Sequence, residues 1–130
     1  MKRTFALPLG VCALALAAVI PASAQLVKIV VSPDTLHLRV GQMRQVLTTS
    51  QGSWPGLAGD SCGSYKQPRS ADIVGVSNIH QIKLSSSGSI SIDVTAQHPG
   101  SCWIEFSVTA YNKAHSPETA TARVMITVTP

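Results

Sequence analysis

The chain has 130 residues, of which 45% are hydrophobic and 12% are charged, and its formal net charge at pH 7 is +4. Once an N-terminal leader is removed, this length fits one small domain with one hydrophobic core and no second domain. The basic residues are scattered, without the runs of Lys and Arg or the interleaved aromatic side chains that nucleic-acid binding favours. Nucleic acid is therefore not an expected partner.

The N-terminus predicts a signal peptide over residues 1–24. Lys2 and Arg3 precede an apolar run rich in Ala and Leu, and an Ala-Ser-Ala sequence then supplies small residues before a cut ahead of Gln25. The alternative is an N-terminal membrane anchor, but the apolar run is short for a spanning helix of about 20 residues. We expect an exported protein, periplasmic or secreted, whose domain covers 25–130 and has no membrane span after cleavage.

Alternating apolar and polar residues predict short β-strands in the first part of this domain. The first strand runs from Gln25 to Ser32, the second covers Leu36 to Val40, and the third covers Met43 to Ser50. Because residues 46 and 47 are both apolar, the sequence does not decide which face of the third strand points inward. Because Pro33 cannot donate a backbone hydrogen bond, we expect the break after the first strand at a sheet edge or at a crossing between sheets.

The alternation stops between Gln51 and Ser70, where Gly and Pro residues recur. This pattern predicts one long loop, which holds Trp54, Cys62 and Tyr65. Loops longer than about 12–15 residues are uncommon in compact domains, and those that occur are often functional or tied down. Cys62 is the residue that would tie this loop to the rest of the domain.

The remaining chain predicts two short strands, Ala71 to Val76 and Ile79 to Leu84, and then a hairpin. The hairpin joins Ser89–Ala96 to Ser101–Ala110 through a Gln-His-Pro-Gly turn, and Thr119–Thr129 forms the last strand. Both strands of the hairpin have one apolar and one polar face, as in antiparallel sheets that are buried on one side. About seven or eight short strands without a helical pattern predict an all-β protein, an antiparallel β-sandwich.

Two cysteines remain after the signal peptide, Cys62 and Cys102. An even number of cysteines in an exported chain predicts a disulfide between them, and two free thiols are the alternative. In the chain-entropy account, a bridge closing a loop of this length stabilises the fold by about 3–4 kcal/mol.

Two segments resemble the bacterial Ig-like (BIG-type) domains of adhesins and other surface proteins. Val31 to Gly41 reads Val-Ser-Pro-Asp-Thr-Leu-His-Leu-Arg-Val-Gly, and in Ala96 to Ile104 a Pro-Gly pair precedes Ser-Cys-Trp-Ile. In that family a Pro-containing first strand leads to Leu-x-Val-Gly, and a Gly introduces the penultimate strand. The resemblance implies an Ig-like β-sandwich. This chain departs from the family in its longer loop around Cys62 and in its disulfide.

No sequence pattern for catalysis or metal binding is present in the chain. It lacks Gly-x-Ser-x-Gly, His-Glu-x-x-His and a Gly-rich phosphate loop, and no mature lysine has Ser three residues before it. The histidines have no paired spacing, and the alternative is a metal site assembled from them in space: His37, His80, His98 and His115. We expect no enzyme, no cofactor and no metal.

The candidate binding residues are three aromatic side chains, Trp54, Tyr65 and Trp103. We expect them to cluster, because the predicted loop carries two of them and the predicted disulfide ties that loop next to the third. The alternative is that the loop folds over the sheet and the aromatic side chains only cover it. Trp and Tyr contribute large shares of binding energy at interfaces, so this cluster is the best sequence candidate for recognition.

Three functional hypotheses remain open at this stage. The first is a non-catalytic binding or adhesion module for a protein or glycan at the cell envelope or outside the cell. The second follows from Gly88 to Val128, which is similar to chagasin-type inhibitors of cysteine peptidases. However, their Asn-Pro-Thr-Thr-Gly and Arg-Pro-Trp loops are absent at Thr48–Gly56 and Tyr111–Pro117. The third is a small accessory subunit of an envelope assembly. The sequence assigns no oligomeric state.

Overall fold

The computed structural model describes residues 26–63 and 72–130. The predicted signal peptide and Tyr65 lie outside these residues. Within them the chain forms β-strands and no helix, so none of it is a helix able to cross a membrane. The strands form two four-stranded sheets, which confirms the all-β prediction and is consistent with a β-sandwich.

The strands in chain order are β1 (Lys28–Ser32), β2 (Thr35–Arg39), β3 (Met43–Gln51), β4 (Gly56–Asp60), β5 (Val74–Lys83), β6 (Ser87–Ala96), β7 (Gly100–Tyr111) and β8 (Pro117–Thr129). Sheet A has the order β1-β3-β6-β5, and sheet B has the order β2-β8-β7-β4. All pairs are antiparallel except β2 with β8, which is parallel.

The core lies between the two sheets and is built from alternate side chains of their strands. Ile92 of β6 and Ile104 and Phe106 of β7 are fully buried, and the inward side chains of β8 pack with them. Burying an aliphatic or aromatic side chain of this kind contributes about 1.5–3 kcal/mol. The period-two pattern of the sequence therefore predicted correctly which faces of β6, β7 and β8 are buried.

The break at Pro33 lies at a crossing between sheets, which is one of the two predicted alternatives, because β1 belongs to sheet A and β2 to sheet B. The open question about β3 is also decided. Val46 is buried and Leu47 is exposed, so the inward row of β3 continues through Thr48 and Ser50.

The predicted hairpin of β6 and β7 is wrong, because these strands belong to different sheets. Their connection crosses from one sheet to the other, and the backbone N–H groups of Gln97 and His98 donate to the carbonyl oxygen of Ile73 at 2.9 and 3.1 Å. The apolar faces of β6 and β7 meet across the core instead of lying side by side. Both arrangements bury the same residues, so alternation alone did not distinguish them.

The predicted long loop from Gln51 to Ser70 is also wrong, because it contains β4. The sequence of β4, Gly-Leu-Ala-Gly-Asp, has little intrinsic strand preference. Its pairing with β7 is irregular, because the register shifts between Leu57 and Gly59. Pairing with β7 and the contact of Leu57 with the core make it a strand, which shows tertiary context overriding local propensity. The strand β4 thus divides the segment that the sequence predicted as one loop.

The two short strands predicted around Ser77-Asn78 are one strand, β5, with an irregularity between Ser77 and His80. Asn78 has a φ of 49°, a conformation that Asn tolerates better than most residues. Its side-chain amide donates to Asp93 Oδ2 at 2.7 Å. The polar dipeptide therefore marks a bulge within a strand and not a turn between two strands.

Candidate functional site

Trp54 lies in the connection between β3 and β4 and packs against sheet A. A Cβ at Gly88 would lie only 2.5 Å from Trp54 Cβ, so β6 approaches Trp54 closely at this glycine. Lys83 Nζ lies 5.4 Å from the centre of the Trp54 ring, and Trp54 is 41% exposed. Trp54 therefore partly covers the end of sheet A and leaves its remaining surface to solvent.

Trp103 lies on the outer face of sheet B, at the other end of the sandwich. Gly56, two residues after Trp54, pairs with Ser107 of β7. Trp103 lies four residues before Ser107, so the two positions are about 13 Å apart along β7. Trp54 also contacts sheet A, whereas Trp103 faces away from it. The structure therefore does not bring these two aromatics together, and the expectation that they cluster is wrong. Tyr65, the third, falls outside the described residues.

The Cys62–Cys102 disulfide joins the end of β4 to the start of β7, with a Cα–Cα distance of 4.8 Å. Both cysteines are 4% exposed and belong to the core. Asp60 pairs with Ile104, and the bridge joins the residues two positions further along each segment. The cysteines face the core, whereas Trp103, the residue after Cys102, points outward. The bridge thus holds the strand beneath Trp103 and lies at the opposite end of β4 from Trp54.

Three side chains of β7 and β8 lie with Trp103 on the outer face of sheet B, and we call these four residues the indole patch: Trp103, Glu105, Arg123 and Met125. Arg123 Cζ lies 3.8 Å from the centre of the Trp103 ring, and Arg123 Nε donates to Glu105 Oε1 at 2.9 Å. Trp103 pairs with Met125, and Glu105 with Arg123, in the β7–β8 register. Met125 is 49% exposed.

Ser61 fixes the backbone of Trp103 from the side of β4. The backbone N–H of Trp103 donates to Ser61 Oγ at 2.9 Å, and the N–H of Ser61 donates to the Trp103 carbonyl oxygen at 2.9 Å. A shallow depression beside the indole is lined by Ser61, Ser101, Trp103, Met125 and Thr127. The indole thus occupies a fixed position beside hydroxyl groups, which suits an interface with an apolar centre and a polar rim.

The guanidinium of Arg123 is held by two different contacts within the indole patch. The Trp103 ring lies against the guanidinium and Glu105 accepts a hydrogen bond from its Nε, so the side chain has already lost part of its conformational freedom. Within residues 26–63 and 72–130, its two terminal NH2 groups have no hydrogen-bond acceptor. They are the groups through which Arg binds a carboxylate in bidentate geometry.

The sequence indicated Trp103 as a candidate but missed Arg123, Glu105 and Met125. Alternation places Arg123 and Met125 on the outward face of β8, and opposite charges on paired strands are a recognisable signal. Their neighbours on β7 follow only from the β7–β8 register, which alternation alone does not determine.

The histidines are dispersed in the fold, on β2, on β5 and in two connections. In the described part of the chain, no three His, Cys, Asp or Glu side chains form a group able to hold a metal ion. A scan against models of known protein families and a search of curated proteins both find no match to this chain.

Proposed function

We propose that this chain is an exported, non-catalytic binding module with an Ig-like fold, which recognises a protein or glycan at the cell envelope or outside the cell through the indole patch. The observation that carries the proposal is the contact of Arg123 with the Trp103 ring, beside the exposed Met125 that pairs with Trp103 in the strand register. Trp, Arg and Met are enriched in the centres of protein interfaces, and Trp and Arg also in their hot spots.

The strand order supports an Ig-like assignment. In Ig constant domains one sheet contains strands A, B, E and D, and the other contains C, F and G. If β1, β3, β6 and β5 correspond to A, B, E and D, and β4, β7 and β8 to C, F and G, both sheets of this chain have that order. The parallel strand β2 then continues strand A on the opposite sheet, beside G.

The buried disulfide supports export. Disulfides persist in oxidising compartments and are rare in the cytosol, and the Cys62–Cys102 bridge lies within the core. The predicted signal peptide is an independent sequence argument for the same location. An exported domain that presents a rigid aromatic face is suited to binding a partner outside the cytoplasm.

Capture of a partner from envelope extract by the immobilised protein tests this proposal. Arg123→Ala removes both the stacked guanidinium and the ion pair, so we expect it to weaken partner binding by about 2 kcal/mol, roughly thirtyfold. Arg39→Ala is the matched control, because Arg39 is an exposed arginine on β2 of the same sheet and lies outside the indole patch.

Equal binding by wild type, Arg123→Ala and Arg39→Ala would show that the partner does not use the indole patch. Treating the extract with a protease before capture distinguishes the two partner classes. Loss of the captured material identifies a protein, and survival of it identifies a glycan.

A second candidate function is inhibition of a cysteine peptidase, as in chagasin-type proteins. Its support is that the connections at 52–55 and 84–86 lie together at one end of the sandwich, where Gly52 N–H donates to Ser86 O at 2.9 Å. The β7–β8 connection at 112–116 lies at the same end, since Gly56 pairs with Ser107 below it. Titration of papain activity tests this candidate, and no inhibition at micromolar protein eliminates it.

A further inference from the structure

Sheet A presents a second open surface, which consists of the outward side chains of β1, β3, β6 and β5 and which we call the sheet A face. It carries exposed aliphatic side chains on three of its four strands, namely Val30 at 62%, Leu47 at 44% and Ile82 at 45%. A single exposed aliphatic residue is ordinary on a protein surface. Three on one sheet face, with small side chains between them, add apolar area that a partner packed on this face would cover.

The residues between these aliphatic side chains are small and carry hydroxyl groups. Val30 pairs with Thr49, Thr49 with Ser89, and Ser89 with Ile82, so two hydroxyl residues separate two aliphatic ones across the whole sheet. One row further, Leu47 lies between Ser32 and Ser91. Because the side chains between the aliphatic ones are small, such a face can pack against another sheet at the usual spacing of about 10 Å.

The edges of sheet A are less suited to pairing than its face. At one edge β1 has five residues, and at the other β5 is interrupted by the irregularity at Asn78. Short and bulged edge strands oppose the addition of a further strand. A partner of sheet A is therefore expected to stack on the sheet and not to extend it.

The charge distribution of this face favours a second copy of the same chain. Among its outward positions on the described strands, Lys28 and Asp93 carry full charges, and they lie at opposite ends of the strands. A two-fold axis across the strand direction would place the Lys28 end of one copy over the Asp93 end of the other. Two copies then meet without opposing like charges, as an isologous interface requires.

The area of the face also meets the requirement for a dimer. The lengths of its four strands, a strand spacing of about 4.8 Å and a rise of about 3.4 Å per residue give it an area of about 550 Å2. Two copies would together bury about 1,100 Å2, which is above the roughly 1,000 Å2 expected of a specific interface.

We infer that the protein forms a two-fold dimer in which the sheet A faces of two copies pack against each other. This inference is independent of the proposed function, because the indole patch lies on the other sheet. The dimer would carry its two indole patches on opposite outer sides.

Sedimentation velocity of the exported protein, measured over a range of concentrations, tests the dimer. The wild type is expected to dimerise with a dissociation constant in the micromolar range, and Leu47→Lys to raise that constant at least about tenfold by placing a charge in the interface. Met125→Lys is the matched control, since it makes the same change at a similarly exposed residue of sheet B and should dimerise as the wild type does.

A wild type that remains monomeric at about 100 µM, far above a micromolar dissociation constant, overturns the inference. Equal dimerisation of Leu47→Lys and wild type overturns it too, as does equal loss in Leu47→Lys and Met125→Lys. Circular dichroism establishes that each variant is folded. If Leu47→Lys does not fold, Val30→Lys replaces it, because Val30 is the most exposed aliphatic residue of the face.

Discussion

The two outer faces of the sandwich have the same strand architecture but different chemistry. The sheet A face combines aliphatic side chains with Ser and Thr and has almost no charge, whereas the outer face of sheet B carries an indole, a methionine and an ion pair. A face with few charges is suited to packing on a copy of itself, and an arginine held over an indole is suited to selecting a different partner. The comparison teaches that one small domain has room for two independent contacts, one on each sheet.

Removing the disulfide should have the largest effect and should affect the two sheets unequally. The double variant Cys62→Ala and Cys102→Ala removes a bridge that closes a 40-residue separation, so we expect the free energy of unfolding to fall by about 4 kcal/mol. Hydrogen exchange should rise most in β4 and β7, beneath the indole patch. Unchanged denaturation, or equal loss of protection in both sheets, would contradict this expectation.

Gly88→Ala should test the close contact between Trp54 and sheet A. A Cβ at Gly88 would lie 2.5 Å from Trp54 Cβ and 2.6 Å from the carbonyl oxygen of Ile82, and relieving such overlap costs about 1–3 kcal/mol. Gly59→Ala is the matched control, because a Cβ at Gly59 meets no atom within 4 Å. Chemical denaturation should separate the two, and equal midpoints would show that Trp54 and the Ile82 carbonyl oxygen both move away from the new methyl group without cost.

Trp54→Ala should distinguish covering from recognition. Trp54 packs on Gly88 but is 41% exposed, so its removal should lower the free energy of unfolding by about 1–2 kcal/mol, less than for a fully buried Trp. The affinity for the captured partner should remain that of the wild type. Thermal denaturation and a binding titration measure the two effects, and a weakened affinity in the folded variant would place recognition at the Trp54 end.

Glu105→Gln should have the smallest effect. The Arg123–Glu105 pair is partly exposed, with side-chain exposures of 48% and 25%, and such pairs contribute about 0–1 kcal/mol. The denaturation midpoint should barely change. A large fall in stability would mean that the ion pair supports sheet B itself and is not mainly an arrangement for binding.

The sequence predicted the features that depend on local pattern. Alternation identified the buried faces of β6, β7 and β8, Pro33 marked the crossing between sheets, and the cysteine count indicated the disulfide. These succeed because side-chain direction and cysteine chemistry are largely properties of the chain itself.

The errors concern which strand lies next to which. The sequence did not predict β4, because its glycine-rich segment is a strand only when paired with β7. The sequence also predicted that β6 and β7 form a hairpin. Two strands that face each other across a core have the same alternation of apolar and polar residues as two strands paired in one sheet. The indole patch depends on the β7–β8 register. Tyr111 pairs with Pro117 next to the connection between the two strands. Six residues further along each strand, Glu105 therefore lies opposite Arg123.

The affinity of the captured partner for Met125→Lys and Leu47→Lys, measured per protein chain, tests the central claim most directly. Both substitutions place a lysine at an exposed apolar residue, one on each sheet. The account predicts that Met125→Lys weakens partner binding by about 2 kcal/mol or more, while Leu47→Lys leaves the affinity per chain unchanged. Weakened binding in Leu47→Lys with wild-type affinity in Met125→Lys would contradict the account and assign the partner to sheet A.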